Sequence, residues 1–143
     1  MPEIAFIMGK SSSGKDHIFK ALIEDETLGL STITMYTTRP MRAGETDGVE
    51  YYFVDDNKVC EFEKNNKIIE MRKYQTVYGE WKYFTADDGQ IESRSGKRYI
   101  VIGTIEAYNK FVEYFGKECM LPIYIEVEDG LRLQRAIKRE QEQ

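Results

Sequence analysis

The feature that most constrains this chain is a glycine-lysine turn between an apolar strand and a helix. Ile4-Ala5-Phe6-Ile7-Met8 runs into Gly9-Lys10-Ser11-Ser12-Ser13-Gly14-Lys15-Asp16, and Ile18-Phe19-Lys20-Ala21-Leu22-Ile23 follows with helical character. A strand feeding such a turn into a helix aims backbone N–H groups and a positive helix end at one point, which suits phosphate. The spacing of Gly9, Gly14 and Lys15 fits a phosphate-binding loop, with the strand before and helix after as the context that motif needs. The pattern then asks for a Ser or Thr hydroxyl to hold magnesium, and this chain has Asp16 there, followed by His17.

Around that loop, apolar runs of strand length alternate with helical patterns. Glu3 to Met8, Ser31 to Tyr36, Tyr99 to Ile102 and Leu121 to Val127 read as strands; Lys15 to Glu26, Asp55 to Asn65, Thr104 to Phe115 and Asp129 to Glu140 read as helices. Near-continuous apolar strands separated by helices predict an α/β fold with a parallel sheet covered on both faces. Between Arg39 and Phe84 the pattern changes to short alternating segments, Val49 to Val54, Ile68 to Gln75 and Trp81 to Phe84, rich in tyrosine and charge. They predict a small mixed β insertion. With 143 residues, 41% of them hydrophobic, the chain suffices for one domain with a real core.

Charge and cysteine content narrow the partners. A net charge of −5, with both signs mixed along the chain, leaves no basic stripe for a nucleic-acid polymer. The N-terminus has no signal-peptide pattern, and no run of about 18 apolar residues occurs, so the expectation is a cytoplasmic protein without a membrane partner. Cys60 and Cys119 are far apart in no paired-cysteine spacing and the single His17 cannot complete a zinc site with them, so both cysteines read as reduced core or surface residues.

A second cluster follows: Thr37-Thr38-Arg39-Pro40-Met41-Arg42-Ala43-Gly44-Glu45, then Gly48, Tyr51 and Phe53. Two arginines three apart in a Pro- and Gly-punctuated loop suit bidentate capture of phosphate oxygens, although a solvated charged turn has the same composition.

With these residues in place, nearly the whole chain resembles the guanylate kinase family, P-loop nucleoside monophosphate kinases. The matching motifs, in order, are Gly9 to Lys15, Thr37-Thr38-Arg39 with Arg42-Ala43-Gly44-Glu45, Tyr51 with Phe53, Ile69-Glu70, Tyr78-Gly79, Ser95-Gly96-Lys97, and Val127-Glu128-Asp129 before an arginine-bearing helix. The resemblance implies a single domain over 1–143, with a P-loop core over about 1–36 and 85–143 and a nucleotide-binding insertion over about 37–84. It also implies that the lid helix stops short and that a final helix is missing.

The implied reaction is ATP plus GMP giving ADP plus GDP, with Mg2+ as cofactor. Gly9, Lys10, Ser11, Ser12, Ser13, Gly14, Lys15 and Asp16 match the ATP-binding loop. Arg39, Arg42, Tyr51 and Tyr78 match the positions that hold the acceptor phosphate, Glu70 the carboxylate facing guanine's N1 and N2 edge, and Glu45 an acidic position between the two nucleotides. Arg135 and Arg139 match lid arginines which, with Lys15 and Arg39, would meet the transferring phosphoryl group.

The departures are as informative. Two aspartates of the family's strand are Ile102 and Thr104 here, and two serines near guanine and the acceptor phosphate are Glu80 and Met35. Asp16 reads either as a relocated magnesium ligand or as a residue favouring a helix N-terminus. Two other readings stay open: a guanylate-kinase-like module that binds a phosphorylated partner, and a kinase for a different nucleoside monophosphate.

Overall fold

β1 (Ile4–Gly9) is flanked on both sides by parallel strands. In the computed structural model, which describes residues 3–142, the chain forms two compact units, residues 3–32 with 93–142 and residues 33–92.

The first unit is built on a four-stranded parallel sheet of order β2-β7-β1-β8, where β2 is Leu30–Thr32, β7 Arg98–Ile102 and β8 Met120–Ile125. Ile4 pairs with Tyr99 and Met120, and the register continues to Gly9 opposite Ile125. A central parallel strand has no solvated face, which is why Ile4, Phe6, Ile7 and Met8 are all buried. Phe6 meets Tyr108 and Phe111 of α3 (Ile105–Phe115) edge-on, at centroid distances of 5.7 and 5.2 Å. Ala5, of opposite parity on β1, shares a groove with Leu22 of α1 (Lys15–Glu24), so the two helices cover opposite faces. Pro122 is tolerated because β8 is an edge strand. Helix α4 (Asp129–Glu142) follows β8.

The second unit holds a mixed sheet of order β4-β3-β6-β5, formed by β3 (Tyr36–Thr37), β4 (Tyr52–Phe53), β5 (Ile68–Thr76) and β6 (Gly79–Ala86), with α2 (Asp56–Lys64) beside it. Tyr36 is stacked on Phe84 at 5.1 Å and meets Phe62 edge-on, in a core completed by Val59 and Ala86. Its hydroxyl donates to Asp88 at 2.5 Å. Burial first, and then this carboxylate, hold the phenol well above its ordinary pKa.

Two expected strands differ. Ser31 to Tyr36 is not one strand: Leu30–Thr32 joins the parallel sheet and Tyr36–Thr37 joins the mixed one. Between them the Gln90 side-chain amide binds both backbone groups of Thr34, accepting from N at 2.7 Å and donating to O at 3.0 Å, so no ladder can run through. Val49 to Val54 shrinks to Tyr52–Phe53, because Gly48 and Val49 spend their N–H groups on turn carbonyls of Tyr51 and Thr46. Among the described residues no helix is long and apolar enough to cross a membrane.

Candidate functional site

In the first unit, the end of β1 delivers the chain into the 10–14 loop. Ser13 N–H donates back to Lys10 at 3.1 Å, and Ser12 and Gly14 both take positive φ, 61° and 91°, which tightens the turn. Gly14 tolerates this conformation at little cost. Gly9 is required by space: a Cβ there would lie 2.6 Å from Ser13 Oγ and 3.0 Å from the Ile125 carbonyl.

The other helix starts show what α1 lacks. Asp55 caps α2 by accepting from Lys58 N, and Thr104 caps α3 by accepting from Ala107 N. At α1 the cap residue is Gly14, with no side-chain bond to the helix. Its first N–H groups and the helix dipole are thus left for an anion. Ser12 Oγ and Ser13 Oγ are buried without hydrogen-bond partners, an arrangement that costs stability until a ligand supplies an acceptor.

A cleft of about 690 Å3 opens on this helix start and is lined by Ser12 to Ile18 together with Arg135, Lys138, Arg139 and Glu142 of α4. Lys15, Arg135 and Arg139 are therefore brought together. Arg135 Nη1 donates to the Ser12 carbonyl at 3.4 Å, and Arg132 Nη1 to the Ser11 carbonyl at 3.3 Å. Arg132, which is also ion-paired with Asp129, was not singled out from sequence. Its i,i+3 spacing from Asp129 is the signal available.

The same cleft decides whether magnesium is chemically admissible. Asp16 lines it as an exposed carboxylate on the first turn of α1. One carboxylate with phosphate oxygens and water is a donor set that suits Mg2+. Among the described residues no three His, Cys, Asp or Glu side chains gather into a metal site of their own.

In the second unit, Arg39 is only 4% exposed and its guanidinium forms a two-pronged pair with Glu45, Nη1 to Oε1 and Nη2 to Oε2, both at 2.9 Å. Glu45 Oε1 also accepts from Arg42 N at 2.7 Å, which folds the 39–45 loop around the carboxylate. The Arg39 hydrogen bond, and then the Arg42 backbone, pull the Glu45 pKa down to about 2, and the same pairing holds Arg39 above its ordinary value. Tyr51 and Phe53 flank the guanidinium, each with its ring centroid 5.6 Å from Arg39 Cζ.

Glu70, 5% exposed, accepts from Thr85 Oγ1 at 2.9 Å and from Arg72 Nε at 3.3 Å. Neither partner was marked in the sequence, although Glu70 and Arg72 two apart on one strand must share a face. Arg39, Glu45 and Tyr51 are thus gathered. Arg42 is joined to them through its backbone, and its side chain belongs to an exposed residue. Tyr78 stands apart from that group at the β5–β6 turn, 82% exposed and stacked on Trp81.

The departures acquire structural uses. Thr104 caps α3, and Glu80 accepts from Gln75 Nε2 at 3.0 Å across the hairpin.

Comparison with known proteins agrees with this geometry. The family described as Guanylate kinase matches residues 2–142. A guanylate kinase of Symbiobacterium thermophilum is 37% identical over 100 residues, 70% of this chain and 44% of that protein. One from Mycoplasma mobile is 30% identical over 122 residues, 83% of this chain and 58% of that protein. The chain thus spans about half the length of the curated relatives it matches. The crystal structure of guanylate kinase from Anaplasma phagocytophilum shares the fold, with a TM-score of 0.63 at 23% identity, over 96% of this chain and 67% of that one. With its phosphate-loop geometry and this match over almost its full length, the chain belongs to the guanylate kinase family.

Proposed function

We propose that the chain transfers the γ-phosphoryl group of ATP to GMP, giving ADP and GDP, as a cytoplasmic enzyme. The observation that carries this reading is the uncapped start of α1, with two buried unpartnered serine hydroxyls before it and Lys15, Arg135 and Arg139 around it. A polyphosphate satisfies all of these at once.

The roles follow from chemistry. Residues 9–14 hold the donor's β and γ phosphates with backbone N–H groups and the Ser12 and Ser13 hydroxyls, and Lys15 neutralises them as a point charge. Asp16 would hold Mg2+, which when bound neutralises charge developing on the β and γ oxygens. Arg39 and Arg42, with the phenol of Tyr51, hold the acceptor phosphate, and Tyr78, at the exposed β5–β6 turn, would have to swing in to join them. Glu45 fixes the orientation of the planar Arg39 guanidinium through both Nη groups. An oxygen of that phosphate attacks the γ-phosphorus, the bond to the β–γ bridging oxygen breaks, and ADP leaves. Arg135 and Arg139 meet the equatorial charge. The attacking phosphate is already an anion near neutral pH, so no general base is needed. Glu70 selects guanine, since adenine has no hydrogen at N1 to offer a carboxylate.

The test is an ADP-release panel over GMP, dGMP, AMP, UMP and no acceptor, with and without magnesium, on the wild type, Lys15→Met and Asp16→Ala. Magnesium-dependent release with GMP, absent with AMP and in Lys15→Met, is expected. Asp16→Ala should need more magnesium for half-maximal rate; an unchanged requirement would return Asp16 to a helix-start role. Tight phosphopeptide binding with no ATP affinity would replace the kinase reading.

A further inference from the structure

We infer that Arg72 reads the acceptor's base, donating to the O6 and N7 edge of guanine while Glu70 accepts from its N1 and N2 edge. This rests on the kinase reading above and deepens it by naming a second specificity residue.

On β5, Glu70, Arg72 and Tyr74 share one face, opposite Thr85, Tyr83 and Trp81 of β6. Arg72, Tyr74, Tyr83 and Trp81 line a cleft of about 280 Å3 with Tyr51. Planar rings of this kind suit a stacked base. Arg72 is about one-third exposed while Glu70 is nearly buried, so the pair spans cleft and core.

Arg72 brings to this cleft a fork that can donate to two neighbouring acceptors, which the hydroxyls and the indole N–H around it cannot. A guanine O6 needs a hydrogen-bond donor, and the serine that the family carries near the guanine oxygen is Glu80 in this chain, while the one near the acceptor phosphate is Met35. A thioether and a carboxylate cannot donate, and Glu80 is already engaged with Gln75. Arg72 Nη2 contacts a thioether, Met35 Sδ at 3.9 Å, in place of an oxygen acceptor. Sulfur is a weak acceptor, so a ligand oxygen would displace that contact with gain. Nε stays on Glu70, fixing the plane of the fork.

Residues two apart on a strand are separated by about 6.8 Å, close enough for one purine to reach an acceptor and a donor set together. Guanine presents O6 and N7 as acceptors to an arginine fork and N1–H and N2–H to a carboxylate. Adenine keeps N7 as an acceptor but sets an amino group against the guanidinium where guanine has O6, and presents a bare N1 to Glu70. The first mismatch adds to the second, which leaves the buried Glu70 carboxylate unpaired.

The experiment measures dissociation constants for GMP, 7-deaza-GMP and AMP on the wild type, Arg72→Ala and Arg72→Met, alongside turnover. Removing N7 from the ligand should weaken wild-type binding about tenfold. Both variants should bind GMP about 10- to 100-fold more weakly, lose the penalty against 7-deaza-GMP, and bind AMP as the wild type does. Methionine keeps an apolar stem against the sheet, and the wild-type ligand comparison stands whether or not either variant folds. Wild-type binding that ignores the missing N7, or variants that lose GMP and AMP affinity alike, would overturn the Arg72 assignment while leaving GMP turnover intact. GMP binding with the N7 penalty but no ADP release supports Arg72 and sinks the kinase reading. A wild type that does not bind GMP overturns both.

Discussion

Arg39 and Glu45 face each other through two parallel hydrogen bonds of 2.9 Å, with the arginine almost completely buried. The pair does structural work before any ligand arrives, because the same carboxylate also accepts from Arg42 N and closes the loop between them.

The first prediction concerns acid stability. Glu45 titrates near 2 when folded against an ordinary value of 4.5. Its folded pKa is depressed, so the stabilisation is complete above the ordinary value and is lost as pH falls through the folded one. Comparing urea midpoints of the wild type and Glu45→Gln should give a constant wild-type advantage from about pH 7 to about pH 5. The advantage should then narrow steadily between 4.5 and about 2. A gap indifferent to pH would mean that the carboxylate's charge contributes nothing.

Gly9→Ala tests the tightness of the loop. The added methyl would press on Ser13 Oγ at 2.6 Å and on the Ile125 carbonyl at 3.0 Å. The second contact is backbone in β8 and cannot swing away. Overpacking of this kind costs about 1–3 kcal/mol, and Ser13 is the residue that must move. Thermal unfolding should show the loss, and ATP affinity should fall with it while GMP affinity is kept. Unchanged ATP affinity would mean that Ser13 takes no part in holding phosphate.

These sites were unequally legible in the sequence. The loop from Gly9 to Lys15 was readable because its chemistry depends on local spacing, and the parallel sheet because β1, β7 and β8 are short apolar runs between amphipathic helices. The break between Thr32 and Tyr36 was not, since it is made by Gln90, 56 residues from Thr34 in sequence. Tyr78 matched the right motif yet sits on a turn, and no local pattern reports how far a hairpin tip stands from its sheet. Arg72 and Arg132 escaped notice because charged residues on a strand or helix surface look alike until their partners, Glu70 and the Ser11 carbonyl, are in place.

Arg135 should matter to rate more than to binding of the acceptor. Its Nη1 reaches the Ser12 carbonyl, and with Arg139 it lines the cleft at the start of α1. A guanidinium that meets charge only as it develops acts on kcat. Arg135→Ala should therefore lower kcat by about a thousandfold with GMP affinity unchanged. Arg135→Lys should restore little, since an ammonium lacks the planar fork. Equal losses in kcat/KM and GMP binding would indicate a role in folding the loop instead.

Thr104 separates a structural use from a functional one at a place where the family carries an aspartate. Its hydroxyl accepts from Ala107 N at 3.2 Å and its φ of −89° with ψ of 167° is the extended geometry of a helix cap. Thr104→Ala should cost about 1 kcal/mol, seen as a fall of about 3 °C in the melting temperature, with KM for GMP unmoved. Thr104→Asp should keep the cap, because a carboxylate accepts from the same N–H and favours the positive end of α3. If Thr104→Ala instead raised KM for GMP without lowering the melting temperature, the hydroxyl would belong to the nucleotide site and not to the helix.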